Sequence, residues 1–317
     1  MSDRRAAYGT LLVGMVAFGG TWPAGKVAAE HVPPAVVAVV RFASAALLLW
    51  GWARLSGKPV RRPARRDVPL VLLLGFSVVF AYNLFFLYGV RHAPATDGSV
   101  LVPGLIPFAT AILAWRLLGE RPGRRALAGL GCALVGVVVV ADPAGSIGSD
   151  RLLGDGLFLG AAVSWAVYTL AGRRATARYG SVSANVYATA CGSLLLLPVT
   201  FFDGGWSPLA RAPLQAWASI AYLSLFGTVI GFVAFYEGVR LIGSARASSF
   251  ALLVPIFGVL SSVLVLGEHL RTNLAVGGAI VLVGLWLAES RRLDSARASD
   301  RAAVSAPVGD GRPQRHA

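Results

Sequence analysis

Four residues, Tyr88, Pro107, Gly119 and Glu120, return as Tyr236, Pro255, Gly267 and Glu268, each 148 positions further along the chain. One offset held across tens of residues means that a structural unit has been duplicated, so both halves must adopt the same local architecture. The matched stretches, 88–120 and 236–268, lie in apolar sequence, which makes the duplicated unit a bundle of membrane spans. A second pair supports the duplication: Phe18 to Lys26 lies against Trp165 to Arg173, setting Gly25 over Gly172 and Lys26 over Arg173 at an offset of 147. A one-residue change in a loop accounts for the difference.

The composition agrees with that reading. Of 317 residues, 56% are hydrophobic and only 14% charged, against roughly 25% charged in a soluble domain, and the mean hydropathy is +0.67. Apolar runs of about 20 residues, the length that crosses the hydrocarbon core as a helix, fall near 8–28, 34–54, 68–90, 95–118, 125–141, 152–174, 182–202, 215–239, 245–267 and 273–290. These runs do not alternate, so a lipid-embedded barrel is excluded and helices are left. The expected fold class is an all-α polytopic membrane protein of about ten spans, five per repeat.

The formal charge of +14 is spread between spans, not gathered on one face or in one basic domain, so nucleic acid is not the expected partner. It reports topology instead. Basic residues cluster at Arg4–Arg5, between Arg54 and Arg66, at Arg121–Arg125, Arg173–Arg178, Arg240–Arg246 and Arg291–Arg297, whereas Lys26, Arg91, Arg151, Arg211 and Arg271 stand nearly alone in the alternate loops. The positive-inside rule then places both termini in the cytoplasm of a plasma (inner) membrane protein. Five spans per copy is an odd number, so the second copy enters from the opposite side and the repeats are inverted, with any binding site expected at their interface near the midplane. The expected organisation is a cytoplasmic N-terminus 1–7, a first repeat 8–141, an outer linker 142–151, a second repeat 152–290 and a polar, disordered cytoplasmic tail 291–317.

Several motifs carry a family resemblance. They are FGGTWPAGK closing the first span, Arg41–Phe42 in the second, and the run from Tyr88 through IPFATAILAWRLLGE to Gly129–Leu130–Gly131. In the second half they are SWAVYTLAGRR (164–174), FGTVIGFVAFYEGVRLIGSARASSFALLVPIFGVLSSVLVLGE (226–268) and a glycine-rich last span. From about Tyr8 to Glu289 the chain resembles the EamA family of the drug/metabolite transporter superfamily. The resemblance implies ten helices in two inverted five-helix repeats and transport of small metabolites, often outward.

Ionisable residues inside spans are costly and therefore candidates for function. Arg41, about seven residues into the second span, is placed to receive a substrate carboxylate or phosphate; the alternative is a fixed pair with a carboxylate or with helix-end carbonyls. Lys26 and Trp22, four residues apart, share a face and either flank the path or anchor the outer interface. Tyr82, Asn83, Trp165, Tyr168 and Tyr187 are the expected aromatic and polar wall of the path. Glu237 and Asp97 are candidates for proton coupling, although Arg240 beside Glu237 offers a plain ion pair. Pro107 and Pro255, with Glu120 and Glu268, read as helix hinges, Glu120 and Glu268 each meeting the positive end of the next helix.

The small-residue positions Gly129, Gly131, Gly136, Gly277, Gly278 and Gly284 suit close packing of the fifth and tenth spans. The expected activity is alternating-access movement of a small organic solute such as an amino acid, nucleoside or drug-like molecule, with protons as a candidate coupling ion. An uncoupled facilitator, and from another class a membrane-embedded enzyme on a lipid-linked substrate, are the alternatives. The enzyme would need clustered catalytic side chains, and His31, His92, His269 and His316 are scattered. No cofactor or metal is expected: there is no phosphate-binding glycine loop, and Cys132 and Cys191 lie singly within spans.

Overall fold

The computed structural model describes residues 2–57, 60–120, 122–142, 150–242 and 250–305. Among them every regular element is helical. Eight helices are long and apolar enough to cross a bilayer: α1 (Ala7–His31), α2 (Pro34–Leu55), α3 (Arg65–His92), α4 (Ala95–Leu118), α5 (Arg124–Ala141), α6 (Asp150–Tyr179), α7 (Val182–Phe202) and α8 (Leu214–Phe235). Two shorter apolar helices, α9 (Leu253–Leu266) and α10 (Thr272–Ala288), complete ten. Large apolar side chains on the outside, Leu47 at 71%, Leu264 at 75% and Phe202 at 91% exposure, fit a surface facing lipid.

The packing is two-fold in pattern. α1 packs on α8 and α9, and its counterpart α6 packs on α3 and α4; α2 meets α7, α4 meets α9, and α5 meets α10. Each of these contacts has its image under exchange of the halves. The α5–α10 crossing shows this atom by atom. A Cβ on Gly136 would lie 2.6 Å from the Gly277 oxygen and one on Gly277 would lie 2.7 Å from the Gly136 oxygen. Gly129 and Gly284 face each other in the same reciprocal way, each hypothetical Cβ 2.7 Å from the other's oxygen. Because Gly129 and Gly277, like Gly136 and Gly284, are 148 residues apart, the two facing pairs exchange under the repeat. Gly131 has open space around it and Gly278 looks towards Val100, so neither contributes to this contact.

The repeated Gly119 and Gly267 have a conformational cause. They end α4 and α9 at φ of +70° and +66°, the left-handed cap geometry that glycine adopts without a Cβ penalty. Gly119 N–H bonds to Trp115 O at 3.1 Å and Gly267 N–H to Val263 O at 3.1 Å, so each turn closes the same way.

Proline shapes α1. Pro23 removes the N–H that would otherwise reach the Gly19 carbonyl, and Ser261 Oγ on α9 donates to that carbonyl at 3.3 Å. The freed backbone group becomes a contact between helices. Pro103 and Pro107 both lie inside α4, whereas Pro255 occupies the first turn of α9, where a missing N–H leaves no helical bond unmade. Boundaries differ from the sequence reading at three places. α6 is longer, from Asp150 to Tyr179. The ninth span begins at Leu253, with 243–249 outside the described residues. The last helix continues to Ser305, past the expected start of a disordered tail at 291; alanine and arginine in that stretch favour helix.

Candidate functional site

Two helices in equivalent positions of the repeats, α3 and α8, each contain one widened turn of i to i+5 geometry, over Gly75–Ala81 and Leu225–Ile230. Such turns leave carbonyls with room for a second donor, and they occur at functional sites. In α3 the side chain of Asn83 supplies it, Nδ2 donating to Val78 O at 2.6 Å. In α8 it is Thr228, Oγ1 donating to Leu223 O at 3.0 Å. Both side chains thereby turn their remaining oxygen capacity towards Arg41.

Arg41 enters from α2 and joins the two. Its Nη1 donates to Asn83 Oδ1 at 3.1 Å and its Nε donates to Thr228 Oγ1 at 3.3 Å. The guanidinium lies 4.7 Å from the centroid of the Phe42 ring. It is buried, at 7% exposure, yet no carboxylate pairs with it among the described residues. Neither alternative raised by the sequence is therefore met: its oxygen partners are a neutral amide and a neutral hydroxyl, not a carboxylate or a helix-end carbonyl. A buried cation neutralised by dipoles alone costs several kcal/mol, and that cost falls if an anion arrives.

An aromatic row runs beside it. Trp22 meets Phe86 at 5.0 Å between centroids, Phe86 stacks on Tyr82 at 6.1 Å, Tyr82 meets Trp165 at 5.0 Å, and Trp165 meets Tyr168 at 5.7 Å. Tyr168 Oη closes the row by donating to Asn185 Oδ1 on α7 at 2.9 Å. Arg41, Tyr82, Asn83, Trp165 and Tyr168 thus come together. Trp22 belongs to the deep end of the row, 3% exposed and also edge-on to Phe158, so it is a core residue and not part of an interfacial belt. Tyr187 packs beside the end of the row, against the same cluster of Val71, Leu74, Ala171 and Ala188 that Tyr168 touches.

Lys26, Glu268 and Asp97 sit together at one end of the bundle. Lys26 Nζ binds Glu268 Oε1 at 2.8 Å. The same carboxylate accepts the N–H groups of Ala95 and Thr96, both at 2.9 Å, and so caps α4. The sequence placed Glu268 at the positive end of α10; the helix end it meets is that of α4, a contact from a different part of the repeat. Burial raises the Glu268 pKa, but Lys26 and the two backbone donors outweigh it and hold the carboxyl below its ordinary range. Asp97 is fully buried and doubly clamped, by Arg151 Nε at 2.9 Å and by Arg271 Nη2 at 2.6 and 2.7 Å. Glu237 is half-buried in the continuation of α8 (Gly231–Ile242), Arg240's side chain lies outside the described residues, and Glu120 is exposed after α4.

Sequence reasoning did not select Thr228, Asn185, Arg151, Arg271 or Asp155. Thr228 gave no signal, since a lone threonine in a span is ordinary. Asp155 did give one: it lies four residues after Arg151 within an apolar helix, the same cost argument that singled out Arg41.

Ten apolar helices in two interlocked inverted repeats, with a polar site where the halves meet, define a polytopic membrane transporter. The chain belongs to the EamA-like transporter family, whose model matches residues 5–141 and 152–289, one match per repeat. It is 31% identical over 287 residues to a probable terminal-alkyne amino-acid exporter of Streptantibioticus cattleyicolor, covering 90% of this chain and 94% of that protein. It is 27% identical to the uncharacterized transporter YyaM of Bacillus subtilis, covering 88% and 92%. A probable amino-acid metabolite efflux pump of Salmonella typhimurium is 26% identical, covering 90% and 95%. A solved structure titled only as a crystal structure of a protein shares the fold, with a TM-score of 0.63 at 21% identity over 90% of this chain and 99% of that one. Relatives named as transporters and exporters place the chain among carriers, not among membrane-embedded enzymes.

Proposed function

We propose that the protein exports a small zwitterionic metabolite of the amino-acid class across the plasma membrane by alternating access, with both termini in the cytoplasm. The observation that carries this reading is Arg41, a buried guanidinium with no carboxylate partner among the described residues, held at the meeting of the two widened turns. A substrate carboxylate would complete its charge, forming the short, charge-assisted bonds that arginine makes best. The neighbouring Tyr82 and Trp165 would cover an apolar side chain, and few-charge walls of this kind fit solutes with no net charge, zwitterions among them. The names of two relatives, an amino-acid exporter and an amino-acid metabolite efflux pump, support both the solute class and the direction.

The test is uptake into inside-out proteoliposomes or vesicles of amino acids beside their decarboxylated amines. Carboxylate-bearing members should enter faster than in protein-free vesicles, and the matched amines should not. Equal rates for both sets, or no transport of any, would sink the proposal. Accumulation against a gradient separates a coupled carrier from a facilitator.

A further inference from the structure

Near the clamped Asp97 lies a second carboxylate of very different character. Asp155, one turn beyond Arg151 on α6, is 7% exposed, and among the described residues neither of its oxygens receives a hydrogen bond. Its nearest cation is Arg151 Nε, at 4.0 Å, and that nitrogen is already committed to Asp97 at 2.9 Å. Arg151 Nη2 in turn donates to Val140 O on α5 at 2.6 Å.

The surrounding charges can be named. Asp97 reaches in from α4, Arg271 from the segment before α10, and Arg151 from α6 itself. α3 packs on α6 where Gly154 meets Ala93, and it brings Arg91 and His92 to this end; α5 finishes at Asp142. Two arginines therefore face two carboxylates; both hydrogen-bond Asp97, and among the described residues neither hydrogen-bonds Asp155. An ionised carboxylate buried without donors is unstable by several kcal/mol, and proton uptake is its ordinary relief.

We propose that Asp155 is a proton-binding site whose occupancy is linked to closure of this end of the bundle. In the arrangement seen, with Lys26 on Glu268 and both arginines on Asp97, the carboxyl takes a proton from water and becomes a neutral acid. Any rearrangement that frees Arg151 or admits water gives the ionised form its missing donors and returns the proton. Since the two arrangements bind the proton unequally, acid favours the closed end and alkali its opening. In a carrier this links proton movement to the cycle. That last step rests on the carrier reading; the proton site itself does not.

The experiment is infrared titration of the full chain in liposomes from about pH 5 to about pH 9, a window above the ordinary aspartate range, comparing wild type with Asp155→Asn. Wild type should show a protonated-carboxyl band that fades across this window, and Asp155→Asn should lose it. The protection factors of the amides of 95–100, with the intrinsic base-catalysed pH dependence of exchange divided out, should rise towards acid in wild type and lose that pH dependence in the variant. Identical spectra, or the same pH dependence in both, overturn the proposal. So does unfolding of Asp155→Asn at about pH 6, where the neutral amide should mimic the acid; that result would make Asp155 a fixed partner of Arg151. Because neither readout requires a transported solute, a failure here is distinct from a failure of the export reading.

Discussion

Lys26 and Glu268 are 242 residues apart in sequence and 2.8 Å apart in space. They tie the end of α1 in the first repeat to the turn between α9 and α10 in the second, and Glu268 simultaneously caps α4 through Ala95 and Thr96. One carboxylate thus holds three parts of the structure together. With the Asp97 clamp to Arg151 and Arg271 it closes one end of the bundle by ion pairs that cross between the repeats.

This latch is sensitive to acid in a definite direction. The folded-state pKa of Glu268 is lowered, so its contribution is fully present above the unfolded value of about 4.3 and is lost as pH falls through the lower folded value. Glu268→Gln should lower stability at neutral pH by about 1–3 kcal/mol, the usual worth of hydrogen bonds to a buried charge. The gap to wild type should narrow as pH drops below about 4. Melting curves in detergent across pH test this, and a gap that stays constant down to about pH 2 would disprove the assignment.

Two glycines two residues apart on α5 should respond oppositely to alanine. A Cβ on Gly129 would lie 2.5 Å from Ala288 N, a backbone atom that cannot move without displacing α10, whereas nothing approaches Gly131 within 4 Å. Gly129→Ala should cost about 1–3 kcal/mol through overpacking, and Gly131→Ala should be neutral or slightly stabilising because alanine is the better helix former. Parallel thermal melts decide it; similar losses at both positions would mean that α5 and α10 do not cross this closely.

Gly119 and Gly267 carry no such crowding, since a Cβ at either meets nothing. Their need is the left-handed backbone alone, at φ of +70° and +66°. Alanine should therefore cost about 1–2 kcal/mol at each, and asparagine, which tolerates that region, should cost less. Comparable losses at the two sites are expected because the turns are equivalent. A large loss at one and none at the other, in the same melting assay, would break the equivalence.

Apolar runs of span length set the number of helices and the glycine positions pointed to the meeting of α5 with α10, while the repeat, at five spans per copy, set the inversion of the halves. It also drew attention to Glu120 and Glu268, yet it was silent on what Glu268 binds, because that contact joins segments that no local pattern relates. Arg41, Asn83, Tyr82, Trp165 and Tyr168 could be chosen from cost and helical spacing. Thr228 could not, since its role arises from a widened turn in α8 and from an arginine 187 residues away. Asp155 was legible in principle, but an aspartate near a span's start also reads as a loop residue, and what sets it apart is that no donor reaches it among the described residues.

The strongest demand falls on Arg41. Its two bonds use two different nitrogens, Nε towards Thr228 and Nη1 towards Asn83, so the planar group spans α8 and α3 in a way that a single ammonium cannot. Arg41→Lys should keep the charge but lose that span, and Arg41→Ala should lose both; Asn83 and Thr228 retain their bonds to Val78 O and Leu223 O in either variant. Insertion and folding should therefore survive while transport of a carboxylate-bearing solute falls at least about 10-fold in Arg41→Lys and further in Arg41→Ala, in keeping with loss of about 1.5–3 kcal/mol of charged hydrogen bonding. Thr228→Val removes one bond and leaves the cation, so it should reduce transport less than either. Full transport in Arg41→Lys would mean that charge alone is recognised. Full transport in Arg41→Ala would exclude the guanidinium from the site.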